Sequence, residues 1–118
     1  MSLTRWQRRA PDIYWSQGDT APAISEILLD GNGAAVNLTG ASVRFQATFP
    51  GAASAEIDAS ATLSGTPTDG TVTYTPVTAD TDTIGDLLVQ WKVTFAGGAI
   101  ERFPNSDYQK LRIMQKVA

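Results

Sequence analysis

The chain of 118 residues contains neither histidine nor cysteine. Those two absences exclude a disulfide framework, thiolate metal sites, most zinc sites and the commonest general base. A nucleophile needs an activating base; without histidine only serine–lysine chemistry remains, and no motif points to it. No apolar run approaches the ~18 residues required to span a bilayer. The first fourteen residues carry positive charge but no apolar h-region, so no signal peptide is expected and synthesis is placed in the cytoplasm. On that ground Asn37-Leu38-Thr39 is read as a turn entering a strand rather than as a glycosylation site. No cofactor is expected.

Basic residues are scarce in the middle of the chain. Between Gln17 and Asp107 only Arg44, Lys92 and Arg102 are basic, against eleven acidic residues. Arg5, Arg8 and Arg9 sit at the front, and Lys110, Arg112 and Lys116 at the back. An acidic body with basic ends fits solvated tails, or ends that dock on the acidic body of a neighbour. It argues against nucleic acid, because the body would repel phosphates.

What remains is strand-like. Val43, Phe45, Ala47 and Phe49 alternate on one face of a segment, as do Leu87, Val89, Trp91, Val93 and Phe95. The second of these is the expected central core strand. Strands are expected near 12–16, 23–29, 35–38, 41–49, 55–64, 71–75, 86–95 and 99–103, with a last one at 108–114 that pairs outward. Asp30-Gly31-Asn32-Gly33, Thr68-Asp69-Gly70 and Ala96-Gly97-Gly98 supply turn residues. Short helical stretches are expected over 3–9 and 78–84. At this length the chain makes one domain with a core of its own. The expected fold is all-β: an immunoglobulin-like antiparallel sandwich of about seven to nine short strands with extended N- and C-terminal segments. Its parts are a basic arm at 1–11, the sandwich at 12–107, and a last strand with a basic tail at 108–118. Leu87 stands where an antibody-type domain would have its corner tyrosine, which argues against a true antibody domain.

Candidate chemistry is thin. Asp80, Asp82 and Asp86 form the one dense carboxylate group, but their spacing is not that of a calcium loop and no bidentate glutamate follows. Glu56, Asp58 and Glu101 lie on strands that face water, not as a pair across a cleft. Trp91 belongs to the core face. Of Tyr14 and Trp15, one is expected to pack and the other to be exposed. Trp6, among Arg5, Arg8 and Arg9, has the composition of an interface anchor. A short membrane-surface helix and a sugar-stacking platform are its other readings.

Several segments carry a resemblance. They are Gln17-Gly18-Asp19-Thr20-Ala21-Pro22, the stretch from Val36 to Val43, Gly70-Thr71-Val72-Thr73-Tyr74, and Gln90-Trp91-Lys92-Val93-Thr94-Phe95 continuing to Phe103-Pro104. In order and spacing they resemble the N-terminal domain of phage upper baseplate proteins and the small phage proteins related to it. The resemblance spans roughly Ile13 to Ile113. It implies an immunoglobulin-like sandwich in a phage tail or baseplate, with no catalytic residues. Longer members use this domain to attach a receptor-binding part; with no such part after Ala118, a stand-alone assembly piece is expected. The expected partners are other virion proteins and copies of the chain itself, with neither a small-molecule substrate nor a membrane. Arg5, Trp6, Arg8, Arg9, Lys110, Arg112 and Lys116 are the expected interface residues. A capsid-decorating or neck protein is the second reading, and a carbohydrate-binding adhesin the third.

Overall fold

The computed structural model describes residues 11–104 and 108–117. Of these, 45% lie in strands and 7% in helical turns, a helical share far below the usual third of a globular protein. Nine strands follow in order: β1 (Ile13–Ser16), β2 (Ile24–Ile27), β3 (Ser42–Thr48), β4 (Ile57–Ser60), β5 (Thr62–Leu63), β6 (Thr71–Tyr74), β7 (Gly85–Thr94), β8 (Ile100–Phe103) and β9 (Gln109–Met114).

They form two sheets. One runs β1-β9-β7-β3-β4, with β8 also on β7; the other runs β2-β6-β5. This is the strand order of an immunoglobulin-like sandwich. The ten-residue β7 is the hub. One edge pairs with all of β3, from Ser42↔Thr94 to Thr48↔Leu88. The other edge is shared: β9 takes Gly85 to Val89, and β8 takes Trp91 to Thr94.

Alternation explains the core. Leu87, Val89, Trp91 and Val93 from β7 meet Val43, Phe45 and Ala47 from β3, all buried. Phe45 is the centre, with ring contacts to Trp15, Tyr74 and Trp91 at centroid distances of 6.2, 4.6 and 5.0 Å. Trp15 is buried and Tyr14 is exposed, so alternation on β1 assigns the pair. Trp15 Nε1 donates to the Pro22 carbonyl at 2.9 Å and fixes the entry to β2.

Three expectations about strands need correction. The last strand does not pair outward. Instead β9 lies between β7 and β1, antiparallel to the first and parallel to the second. The cause is its apolar face: Leu111 and Ile113 are fully buried and would be wasted on an outward edge. The sandwich therefore extends beyond residue 107. No strand forms over 35–38; only an isolated bridge joins Leu29 to Ala35. There Asn37 Oδ1 accepts from Thr39 N–H and turns the chain, while Leu38 plugs the core. The stretch at 55–64 is two strands. Ala61 N–H bonds to the Val43 carbonyl, and the chain then crosses to the other sheet, where Thr62 and Leu63 pair with β6.

The helical stretch expected at 78–84 is a single 3-10 turn, Thr78–Thr81. The one expected at 3–9 lies outside the described residues.

Candidate functional site

The small sheet leaves one side of β2 open. That strand pairs antiparallel with β6, and no described strand lies on its other edge. A free edge presents unpaired N–H and C=O groups to any extended chain. Ile27 at the end of β2 and Leu29 just past it are 58% and 50% exposed. Leu28 between them is buried and holds its N–H on the Gly70 carbonyl.

Behind these residues the two sheets gape. An open cavity of about 200 Å³ runs between β2 and the place where β8 gives way to β9. Ile27, Leu29, Trp91 and Phe103 supply apolar walls, and Glu26 and Gln109 supply the polar floor. The floor is ordered by a relay. Trp91 Nε1 donates to Gln109 Oε1 at 3.0 Å, and Gln109 Nε2 donates to a Glu26 carboxylate oxygen. Indole is only a donor and a carboxylate only an acceptor, so the amide orientation is forced. The groove thus joins apolar surface, one carboxylate and a free strand edge. This combination suits an extended segment bearing a large apolar side chain and positive charge.

Two of the basic C-terminal residues, Lys110 and Arg112, pair within the chain itself. Lys110 is 1% exposed, with Nζ 3.6 Å from Asp86 Oδ2. Arg112 grips the same carboxylate with both ends of its fork, Nε to Oδ1 at 2.7 Å and Nη2 to Oδ2 at 3.0 Å. The Arg112 hydrogen bond holds the Asp86 carboxyl below the usual range, reinforced by the Arg112 and Lys110 charges. The attraction between basic end and acidic body is therefore satisfied within one chain, because β9 pairs beside Asp86 in register, Asp86↔Arg112. Lys116 is exposed. Arg5, Trp6, Arg8 and Arg9 lie outside the described residues.

The other carboxylates are spread over separate tasks. Asp80 accepts from the Tyr74 hydroxyl and from Val77 N–H. Asp30 accepts from the N–H groups of Asn32 and Ala34, which closes the turn expected there. Asp58 pairs with Arg44 at 2.6 Å across the exposed face. Among the described residues no three carboxylates converge as a metal site would require. Trp15 and Trp91 are buried, so neither offers a platform to a sugar ring.

The groove was not singled out by its residues. The signal was present in Ile27-Leu28-Leu29, three consecutive apolar residues that break the alternation of a half-buried strand. Glu26 and Gln109, 83 residues apart, gave no sign that they would meet. No protein-family model matches the chain, and no curated protein matches it.

Proposed function

We propose that the protein is a non-enzymatic structural component of a phage particle, placed in the tail or baseplate and working through contacts with copies of itself and other virion proteins. The observation that carries this reading is the open β2 edge. A free strand edge, two exposed apolar side chains and an acidic, apolar-walled groove lie together on a sandwich whose N-terminal sequence is basic and holds Trp6. The resemblance of the segments around Gln17-Gly18-Asp19, Gly70-Thr71-Val72 and Gln90-Trp91-Lys92 to the upper baseplate domain supplies the setting. The mechanism is geometric: a rigid sandwich holds partners in a fixed relation, and residues 1–10 tie it to its neighbours.

The test is incorporation. Particles are assembled in host cells with full-length protein or with residues 1–10 deleted, purified, and assayed by mass spectrometry and imaging. The shortened protein is expected to fold as a monomer and to be missing from particles. Incorporation at the full-length level, or absence of the full-length protein from purified particles, overturns the reading.

A further inference from the structure

We propose that Asn32 is a site of spontaneous modification, at which the Gly33 nitrogen displaces the side-chain amide and leaves an aspartyl or isoaspartyl residue in the turn after β2. The proposal is independent of the assembly reading.

The turn brings the reacting atoms together in the open. Asn32 and Gly33 are both exposed. Among the described residues the Asn32 carboxamide has no hydrogen-bond partner. Gly33 has φ +82°, and no atom lies within 4 Å of the place where a Cβ would stand. Its nitrogen is therefore unshielded by any side chain of its own, which lets main chain approach closely. One bond restrains that nitrogen: Gly33 N–H donates to the Asp30 carbonyl at 3.0 Å.

Once the bond opens, solvent base takes the proton from Gly33 N, and the nitrogen attacks Asn32 Cγ. Adjacent residues supply both partners, so the step is intramolecular. The new N–Cγ bond closes a succinimide ring. The Cγ–Nδ2 bond breaks, and the leaving nitrogen takes a proton from water and departs as ammonia. A water molecule then opens the ring at one of its two carbonyls. Opening at Cγ gives aspartate. Opening at the main-chain carbonyl gives isoaspartate, whose backbone runs through Cβ and Cγ. In sum one water is consumed, one ammonia is released and one carboxylate is gained; nothing is oxidised or reduced.

The fold withholds this reaction from related positions. Asn37 Oδ1 accepts from the Thr39 N–H and hydroxyl, while the following residue, Leu38, is fully buried with its N–H on the Pro67 carbonyl. Asp30 precedes Gly31, but its Oδ1 is held by the N–H groups of Asn32 and Ala34. Asp69 precedes Gly70, but its carboxylate is held by the Ser64 hydroxyl, and Gly70 is crowded by the Leu28 carbonyl and Val36 nitrogen.

Isoaspartate would add a main-chain atom to a turn that Asp30 N–H closes on the Ala34 carbonyl at 2.8 Å. That closure carries the bridge from Leu29 to Ala35, and Leu29 is a wall of the groove. The modification therefore loosens the rim of the groove and adds negative charge beside it, so the turn records the age of the molecule.

The test holds full-length protein at mildly alkaline pH, folded in buffer or unfolded in guanidinium chloride. Peptides are followed by mass spectrometry, with fragmentation that separates aspartate from isoaspartate. Each asparagine is compared with itself unfolded, which cancels the effect of the neighbouring sequence. At Asn32 folding is expected to slow the reaction no more than about tenfold, the cost of opening one hydrogen bond. At Asn37 three bonds must open, and slowing of about a hundredfold or more is expected. Asn32→Gln should abolish the product at this position. No product at Asn32 in the folded protein, or protection there equal to that at Asn37, overturns the proposal. Amide hydrogen exchange reads the turn itself. In aged wild-type protein the Asp30 amide is expected to exchange faster than in Asn32→Gln protein aged beside it. Equal exchange overturns the loosening of the rim.

Discussion

Phe45 and Tyr74 lie ring on ring across the sandwich, centroids 4.6 Å apart and planes within 5° of parallel. One comes from β3 in the large sheet and the other from β6 in the small one, so the stack joins the two layers directly. The Tyr74 hydroxyl continues through the core edge to Asp80, in the turn that precedes β7. One side chain therefore couples sheet packing to the entry of the hub strand.

Tyr74→Phe keeps the stack and removes the hydrogen bond to a charged acceptor, an expected loss of about 1.5–3 kcal/mol. Tyr74→Ala removes both, an expected loss of about 3–5 kcal/mol. Burial first, and Asp80 second, push the phenol well above its ordinary range. Below about pH 10 it is protonated whether folded or unfolded, and stability is insensitive to it. Above that, the unfolded chain loses the proton and the folded one keeps it, so stability falls as pH rises. Urea midpoints measured between about pH 9 and 11 should fall in the wild type and fall less in Tyr74→Phe.

Trp91→Ala should destabilise by about 3–5 kcal/mol, the range for a buried large aromatic. Trp91→Phe is the informative companion. It preserves most of the apolar contact with Phe45 but leaves Gln109 Oε1 without its indole donor, at a cost of about 1–3 kcal/mol. Chemical denaturation measures both. A loss below about 1 kcal/mol for Trp91→Ala would contradict its central place in the core.

Asp86 links a buried ammonium to a surface guanidinium. Its carboxyl titrates below the usual range because Arg112 and Lys110 favour the ionised form. The stabilisation is present above the unfolded value of about 4 and is lost as pH falls through the lower folded value. Asp86→Ala withdraws the carboxylate from Lys110 and should cost about 3 kcal/mol at neutral pH. The difference from the wild type should narrow on acidification below about pH 4. Thermal unfolding across that window reads both effects.

Gly70 ends the 3-10 turn Pro67–Asp69 with φ +70°, and a Cβ there would lie 2.9 Å from the Leu28 carbonyl oxygen. Gly33 has a similar φ of +82° but open space around it. Gly33→Ala should therefore cost about 1–2 kcal/mol, the conformational penalty alone. Gly70→Ala should cost clearly more, because backbone on the opposing segment must move. Melting temperatures of the two variants, compared side by side, separate conformation from contact.

The sandwich was legible because period-2 alternation is a local signal. Val43, Phe45 and Ala47, and Leu87 through Val93, announce which face is inward without reference to any other part of the chain. The fate of β9 was not legible. Leu111 and Ile113 show an apolar face, yet Lys110 and Arg112 read as a tail until Asp86, far away in the sequence, is placed beside them. The groove was opaque for the same reason. Glu26, Trp91 and Gln109 come from three strands in two sheets, and only the fold brings the relay together. The break at Ala61 follows from which sheet each half joins, something composition does not encode.

The parallel pairing of β1 with β9 has a temporal side. Asp12 accepts the Lys110 N–H from 98 residues further along the chain. In chain order β1 is the first of the nine described strands to be made and β9, its partner, is the last. Closing so distant a contact is a slow event, and until it happens Ile13 and Trp15 lack the strand that flanks them. The large sheet is thus a seam that closes only once β9 has been made, and β1 joins the body with that last stitch.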